Sequence, residues 1–406
     1  MTPNPLADLL RPGDTVLVGT GTGEPVALIE ALIASLGTVS GIRAIQVMTG
    51  GAERLAEASG AALRLLTPVP GKKTRKAIAD GRAELLTLPM SGFLSAILDR
   101  TLRIDGILLQ GRAIDDRLAT PGLIADIMVP AWELARFRAL ELNDLLPRIA
   151  CERPLEIASA DHLVRVSRAP NELVEDAVSD GAALIGELVA AIVPDGATIE
   201  LGIGRSLAGI AAALAAHRRD LAMHTGIVGN AAMRLIEAGA VSRPLHGTAL
   251  AVGATAMGNK AFYDWADNNP RIALVDSRRA HNSALLAATQ RFVAINAALQ
   301  VDLAGNVNST SHQGRVVSGV GGAGDFAAAG ACAEASIIAL FSTTPDGAST
   351  IVPAVEAISV PAQHVTHVVT EYGVAQLRGL SGEARARAIA AVAAPQHRAT
   401  LTPLIR

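Results

Sequence analysis

The stretch that decides the fold is ATIELGIGRSLAGIAAAL, residues 197–214. It begins with a short apolar run typical of a buried strand, continues with a Gly-X-Gly turn, and ends in an Ala/Leu-rich helix pattern. Residues 15–32, TVLVGTGTGEPVALIEAL, contain the same three parts in the same order. This repetition predicts a duplicated α/β architecture, with two similar halves that are each built around a mostly parallel sheet.

Strand-like and helix-like runs alternate through the first half of the chain. A helix is predicted after the first glycine-rich turn, with Pro25 in its first turn and Gly37 after its end. The segment 149–175 is mixed and polar, and it predicts a linker between an N-terminal domain, residues 1–170, and a C-terminal domain, residues 171–406. Strands are expected within residues 41–51, 62–71, 82–91, 104–111 and 137–144.

Composition excludes several classes of protein. A chain of 406 residues is too long for one compact core, which agrees with two domains. A net charge of −3 and an aromatic content of 2% argue against nucleic-acid binding. Apolar runs are shorter than the roughly 20 residues that span a bilayer, and the N-terminus lacks a signal-peptide pattern, so we expect a cytoplasmic protein with no membrane association.

Neither cysteines nor histidines form a metal-binding pattern. Cys151 and Cys332 lie far apart in the chain and match no metal or redox spacing, so they are expected to be reduced. The nine histidines include no H-x-x-x-H or H-E-x-x-H spacing. No metal ion is therefore expected.

Both Gly-X-Gly turns fail as dinucleotide fingerprints. Gly202 and Gly204 are followed by Leu207 where a third glycine is required. Two interpretations stay open for this turn: a tight strand–helix connection, or a helix N-terminus whose N–H groups receive an anionic group.

Two later segments have the features of an active site. HTGIVGNAAMRLIEAG, residues 224–239, predicts a strand-to-helix turn, although it holds no Ser, Cys, Asp or Glu between His224 and Arg234. SGVGGAGD, residues 318–325, is a glycine-rich loop that allows its backbone N–H groups to face a developing oxyanion. A β-turn or bulge at the end of a sheet is the alternative for this loop.

These segments, taken together, resemble the acetyl-CoA hydrolase/transferase family of class I CoA-transferases, which includes 4-hydroxybutyrate CoA-transferase-like proteins. The resemblance covers the second half of the chain almost continuously and the first half in patches. The matching blocks, in family order, are GEPVALIEAL, TRKAIADGRAELLTLPMS, IELGIG, HTGIVGNAAMRLIEAGAV, FYDWADNNPRI, AINAALQVDLAGNVNS, SGVGGAGDF, STIVP and VVTEYGVAQLRGLSGEARARAIAAVAAPQHR.

The resemblance implies two similar open α/β domains of the CoA-transferase type, with the active site in the interdomain cleft. It implies a homodimer that uses a CoA thioester and a small carboxylic acid as substrates, in acetate metabolism for example, with no permanently bound cofactor. In the family a glutamate carboxylate attacks the thioester carbonyl and forms an acyl-glutamyl anhydride. The oxyanion donor implied here is Gly322, and the implied CoA contacts are Gly202, Ile203, Gly204, Gly319, Gly321, Gly322, Ile351 and Pro353.

The chain departs from the family pattern at the residues that matter most for this chemistry. The catalytic glutamate of the family belongs to a His-Ser-Glu-Met-like run, and here its position holds Gly226. The family's Asn-His-Pro run is replaced by a segment with His281 at the Asn position and Asn282 next to it. Residues 108–122 stand where a Ser-Pro-Pro segment is expected. The candidate catalytic residues are Gly226, His224, His281, Asn282 and Gly322.

These departures leave three hypotheses. The first is an acyl-CoA hydrolase or transferase in which His224 or His281 activates water, or in which Glu371 replaces the missing carboxylate. The alternative is that His224 is a packed residue at a strand end and that Glu371 only stabilises the Glu-Tyr-Gly corner in which it lies. The second hypothesis is an acyl-CoA-binding protein without turnover. The third is acyl transfer to an acceptor other than a carboxylate, where positioning and an oxyanion hole suffice.

Two basic segments have open assignments. GKKTRK, residues 71–76, is either a solvated loop or a contact for CoA phosphates. Arg385 and Arg387 are two positions apart, so they do not share a helix face. We assign both arginines to the surface or to an oligomer contact.

Overall fold

The computed structural model describes residues 4–49, 52–173 and 177–405, apart from the side chain of Arg205. The described residues form two compact units: unit 1 lies within residues 1–174 and 253–280, and unit 2 within residues 175–252 and 281–406. Segment 253–280 belongs to unit 1 because Ala254 accepts hydrogen bonds from the amides of Ala125 and Asp126. The domain boundaries taken from the sequence stay a prediction.

Helices and strands alternate along the chain. Before residue 174 they are α1 Pro5–Leu9, β1 Thr15–Val18, α2 Val26–Ser35, β2 Ile42–Gln46, α3 Arg54–Ala58, β3 Leu63–Thr67, α4 Lys72–Ala79, β4 Ala83–Leu85, α5 Met90–Leu98, β5 Gly106–Ala113, β6 Leu118–Thr120, α6 Met128–Leu134, β7 Phe137–Asn143, β8 Ala150–Cys151, β9 Leu155–Glu156 and β10 His162–Val166. After residue 176 they are α7 Asp180–Ile192, β11 Thr198–Leu201, α8 Arg205–His217, β12 Ala222–Gly229, α9 Asn230–Glu237, β13 Ala251–Met257, α10 Lys260–Ala266, β14 Ile272–Leu274, α11 Ser277–Ala280, α12 Ser283–Ala287, β15 Phe292–Ala297, β16 Gln300–Asp302, β17 Val307–Asn308, β18 Ser311–His312, β19 Arg315–Val316, α13 Ala323–Cys332, β20 Ala335–Ala339, β21 Ile351–Val352, β22 His367–Thr370, β23 Gly373–Gln376, α14 Gly382–Ala391 and α15 Pro395–Leu401.

Unit 1 is organised by a parallel sheet of order β10-β7-β5-β1-β2-β3-β4. β1, from the first predicted strand–turn–helix unit, is central in this sheet, and α2 packs on one face of it. β6 extends the sheet by pairing antiparallel with β5. The α/β class predicted for the first half is confirmed.

Unit 2 contains the strand order β23-β22-β20-β15-β11-β12, which is parallel except for the last hairpin, β22–β23. β11, from the second predicted unit, is again central. The duplicated pattern of the sequence therefore corresponds to two central strands, each followed by a turn and a helix. Beside this sheet, β16 pairs with β17 and β21.

Small residues allow the close helix packing that the composition indicated. α7 and α8 approach so closely that a Cβ built on Gly209 would lie 2.0 Å from the Ala182 carbonyl oxygen. A Cβ on Gly186 would lie 2.4 Å from the Gly209 carbonyl oxygen. Glycine is required at both positions because real Cβ atoms do not approach backbone atoms this closely.

Three assignments made from the sequence need correction. The segment 149–173 is not a plain linker, since it includes β10, an edge strand beside β7 whose side chains alternate between half-buried and exposed. The predicted linker residues 174 and 175 lie outside the described residues. The lysine-rich segment 71–76 is not a loop but the start of α4, whose first N–H groups are capped by the buried carboxylate of Glu53.

Arg385 is the third correction, because it is not a surface residue. Its guanidinium group is half-buried and donates hydrogen bonds to the carbonyl oxygens of Ala304, Ala362 and Val365. Arg387, by contrast, is exposed and pairs with Glu383 one turn earlier. Within the described ranges, no helix is long and apolar enough to cross a membrane.

Candidate active site

The candidate site lies in unit 2, where β12 continues directly into α9. β12 buries His224 and Thr225, and the Thr225 hydroxyl donates to the Leu201 carbonyl oxygen of β11 at 3.0 Å. The next residue, Gly226, is half-buried. The predicted strand-to-helix turn is confirmed.

Gly226 has room for a side chain. A Cβ built on this residue would lie 3.5 Å from Phe326 Cε2 and 3.7 Å from His281 Cε1, both ordinary van der Waals distances. The absence of a carboxylate at position 226 is therefore not imposed by the backbone or by close neighbours of the first side-chain atom.

His281 is the residue around which the site is built. Its side chain is buried, and its ring lies 5.0 Å from the ring of Phe326. Its Nδ1 lies 3.7 Å from Asp325 Oδ2 and makes no hydrogen bond to any residue in the described ranges. Burial, with a smaller effect of the nearby His224, lowers the pKa of His281 to about 3, so its imidazole is neutral at physiological pH.

The glycine-rich loop brings backbone amides to the same place. Gly321 has φ +58°, which favours glycine, and Gly322 is the N-cap residue of α13. Neither amide donates a hydrogen bond to a described residue. Because N–H groups at a helix N-terminus carry partial positive charge, this loop is suited to bind an anionic oxygen.

The loop and His281 are in direct contact. A Cβ built on Gly322 would lie 2.4 Å from His281 Cε1 and 2.8 Å from His281 Nδ1. Position 322 therefore excludes every side chain as long as the imidazole stays in place. Gly226, His281 and Gly322 thus lie close together, and Asp325 and Phe326 also lie near the imidazole ring.

The Gly202–Gly204 turn connects β11 to α8. Ile203 is 52% exposed, and Gly204 has φ +150°, a conformation that favours glycine. Behind the turn, Glu200 is fully buried and accepts hydrogen bonds from the Ile295 amide and from Asn296 Nδ2. Burial raises the pKa of Glu200 to about 8, so its carboxyl group is largely protonated at neutral pH.

The other predicted site residues have structural contacts. The Asn282 side chain caps α12 by accepting from the Leu285 amide, and Glu371 accepts from both the hydroxyl and the amide of Ser342. Ile351 is buried in the core of unit 2, whereas Pro353 is exposed. Gly319 is buried at the start of the loop. The catalytic and CoA-binding roles of the residues chosen from the sequence stay predictions.

Sequence reasoning missed the residues that support the site. Asp325, Phe326 and Asn296 were not singled out, although each contacts a predicted residue or its neighbour. The sequence feature that could have identified Asp325 was its position three residues after Gly322, in the first turn of a helix. In the described part of the chain, no group of three or more His, Cys, Asp or Glu side chains is arranged to hold a metal ion.

Comparison with known proteins gives the family. Residues 258–404 match the acetyl-CoA hydrolase/transferase C-terminal domain. The chain is 30% identical to 4-hydroxybutyrate coenzyme A transferase of Clostridium kluyveri, over 95% of this chain and 92% of that protein. It is 27% identical to a succinyl-CoA:acetate/propanoyl-CoA:succinate CoA transferase of Fasciola hepatica, over 97% of this chain and 84% of that one.

Solved structures agree. The 4-hydroxybutyrate CoA-transferase of Porphyromonas gingivalis superposes with a TM-score of 0.82 at 26% identity, covering 99% of this chain and 95% of that one. RipA of Yersinia pestis, at 24% identity, shares the fold with a TM-score of 0.89 over 99% and 96% of the two chains. The chain belongs to the acetyl-CoA hydrolase/transferase family.

Proposed function

We propose that the protein is an acyl-CoA hydrolase that cleaves small-acid CoA thioesters with water, His281 acting as the general base. Membership of a family of CoA-transferases and acetyl-CoA hydrolases supports acyl-CoA processing as the reaction class. The observation that carries the finer proposal is the placement of the buried imidazole of His281 beside two glycines, 226 and 322. No acyl-glutamyl anhydride forms at position 226, because glycine has no side chain.

In the proposed reaction a water molecule replaces the missing carboxylate nucleophile. The imidazole of His281 takes a proton from water while the water oxygen bonds to the thioester carbonyl carbon. The carbonyl oxygen becomes an oxyanion that receives N–H groups at Gly322 and the start of α13. When the C–S bond breaks, CoA leaves as the thiolate and takes the proton from the imidazolium, which leaves a free acid and CoA thiol.

Asp325 is suited to stabilise the imidazolium. The 3.7 Å separation of its Oδ2 from His281 Nδ1 is about 0.9 Å longer than a charge-assisted hydrogen bond, so a small closure on substrate binding would form one. His224 is a second imidazole near His281, and it contributes to the lowered pKa of His281. Glu371 is a weaker candidate for the chemistry, because both of its carboxylate oxygens already accept from Ser342.

The test follows free thiol from acetyl-, butyryl- and succinyl-CoA, with and without acetate. We expect thiol release that does not require acetate, and His281→Asn should lower kcat by about 10²–10⁴-fold. His217→Asn, on the exposed side of α8, is the matched control and should leave kcat unchanged. Saturable binding without thiol release would refute the hydrolase and favour an acyl-CoA-binding protein. Thiol release that requires an added amine or carrier thiol would favour acyl transfer to an acceptor other than a carboxylate.

The same assay separates a missing nucleophile from a rebuilt site. The side chain of the glutamate that the family resemblance assigns to position 226 would begin 3.7 Å from His281 Cε1, so Gly226→Glu should be combined with His281→Asn. We expect the double variant to gain acetate-dependent CoA exchange, while Gly226→Glu alone gains less. No exchange in the double variant would show that the rest of the site no longer fits transfer through an anhydride.

We propose several further features together. The family resemblance supports a homodimer, a role in acetate metabolism and the absence of a permanently bound cofactor, and the composition supports a cytoplasmic location. Sedimentation equilibrium of the purified protein tests the first of them.

A further inference from the structure

A cavity lies in unit 1, and the described residues that line it all belong to that unit. Its volume is about 250 Å³, and its walls include Trp132, Glu133, Arg138, Arg153, Leu155 and Ser159. Arg138 is the second residue of β7, so the cavity lies near the amino end of this strand. The glycine-rich turn of unit 1 follows the carboxyl end of β1, which runs parallel to β7 in the same sheet. The cavity and this turn therefore lie at opposite ends of the parallel strands.

Arg138 presents unused donors to this cavity. The side chain is half-buried, and its Nε donates to the Trp132 carbonyl oxygen at 2.6 Å, which fixes the plane of the guanidinium group. Among the residues that the structure describes, none accepts a hydrogen bond from its Nη1 or Nη2. A planar fork of two N–H donors is thus held in place without an acceptor.

Arg153 adds a second guanidinium group whose charge is only loosely paired. Its Nη1 lies 3.6 Å from Glu133 Oε1 and its Nε 3.6 Å from Asp276 Oδ2, both beyond hydrogen-bond length. The two carboxylates are already bound by Arg278, at 2.6–3.0 Å. Because Arg278 satisfies these acids, Arg153 is free to pair with a ligand. Glu156 is exposed at the rim of the cavity.

The remaining walls are apolar. Trp132 and Leu155 are buried side chains, and the Trp132 indole is oriented by a hydrogen bond from its Nε1 to the Ser159 hydroxyl. The cavity is smaller than the roughly 300–1,000 Å³ typical of sites for drug-sized ligands. A ligand must therefore be small, with an anionic end for the guanidinium fork and a short apolar body.

We propose that this cavity binds a short-chain aliphatic carboxylate, such as butyrate, at a site separate from the candidate active site. Guanidinium groups match the two oxygens of a carboxylate with parallel hydrogen bonds, and the indole and Leu155 cover the alkyl chain. Inorganic phosphate would satisfy the arginines but would leave the apolar walls uncovered. The inference rests on the geometry of unit 1 alone and not on the proposed hydrolysis.

The two tryptophans of the chain give a direct test. Trp265→Phe leaves Trp132 as the only indole, and its fluorescence is followed while the protein is titrated with sodium butyrate at constant ionic strength. We expect a saturable change, and Arg153→Ala should weaken binding by about 10- to 150-fold, the loss of one hydrogen bond to a charged group. Arg153 is chosen because it makes no hydrogen bond to a described residue, whereas Arg138 holds the Trp132 backbone.

Arg165→Ala is the matched control, since Arg165 is an exposed arginine on β10 of the same unit. This variant should titrate like the parent protein. The proposal is overturned by a linear, non-saturating response, by equal affinity of Arg153→Ala and Arg165→Ala, or by equal affinity for phosphate and butyrate. The readout is binding at Trp132 and not turnover, so its failure is distinguishable from failure of the hydrolase assay.

Discussion

Gly322→Ala is the substitution that tests the candidate site most directly, because it adds one methyl group at the point where the loop contacts His281. The new Cβ would lie 2.4 Å from His281 Cε1, 2.8 Å from its Nδ1 and 3.2 Å from Phe326 Cε2. At φ −94° the backbone accepts alanine, so the whole effect comes from packing. Forcing a methyl group into a well-packed site costs about 1–3 kcal/mol, while the effects of alanine on chain entropy and helix capping roughly cancel.

For a unit of this size the loss corresponds to a melting temperature lowered by about 2–12 °C, measured by calorimetry or thermal shift. Gly226→Ala is the internal control, since its Cβ meets the same His281 and Phe326 rings at 3.5–3.8 Å and should leave the melting temperature unchanged or slightly raised. His281→Ala should then remove most of the penalty of Gly322→Ala, which gives a coupling free energy of about 1–3 kcal/mol in a double-mutant cycle. Equal melting temperatures for the two glycine variants, or no coupling to His281, would refute the contact.

Two further predictions concern unit 2 away from the loop. Burial raises the pKa of Glu200 from 4.5 to about 8, so between these pH values the folded state keeps a proton that the unfolded state has lost. The contribution of Glu200 to the free energy of unfolding therefore falls as pH rises from 4.5 to 8. The slope is at most about 1.4 kcal/mol per pH unit. Glu200→Gln should flatten the curve of unfolding free energy against pH in this window, and identical curves would contradict the assignment. Arg385→Ala should lower the unfolding free energy by about 2–3 kcal/mol because four carbonyl oxygens lose a charged donor. Arg387→Ala, at an exposed i,i+4 pair, should change it by less than about 0.5 kcal/mol, and similar losses for the two variants would show that the Arg385 contacts contribute little.

The architecture could be predicted from the sequence because it depends on local patterns. Short apolar runs ending in glycine, followed by helices with a regular apolar face, occur at both β1–α2 and β11–α8, and both strands are central in their sheets. The strand-to-helix junction at Gly229 and Asn230 was equally visible, since glycine and asparagine commonly stand at such boundaries. These features can be predicted without knowing which other parts of the chain pack against them.

Long-range contacts were not predictable in the same way. Arg385 was assigned to the surface or to an oligomer contact from its spacing with Arg387, but its partners are carbonyl oxygens 8 to 81 residues earlier in the chain. β10 was predicted to be part of a linker because every second side chain of this edge strand is exposed to solvent. Its sequence therefore lacks the continuous apolar run that is typical of a central parallel strand. Each error arose where a residue far along the chain decided the local structure.

The candidate site combines both kinds of information, because residues that are far apart in the sequence lie close together in the structure. In the sequence, Gly226 and His281 are 55 residues apart and each looks like an independent loss. In the structure the imidazole lies 3.7 Å from where a side chain at 226 would begin, and it also closes the space above Gly322. Residues 226 and 281 are therefore neighbours, so a substitution at one changes the surroundings of the other. The aromatic ring of Phe326 lies 5.0 Å from the imidazole ring, and Asp325 Oδ2 lies 3.7 Å from His281 Nδ1. Under the proposed function, the site is one in which the base His281 replaces a nucleophile, and not one in which a catalytic residue has simply been deleted.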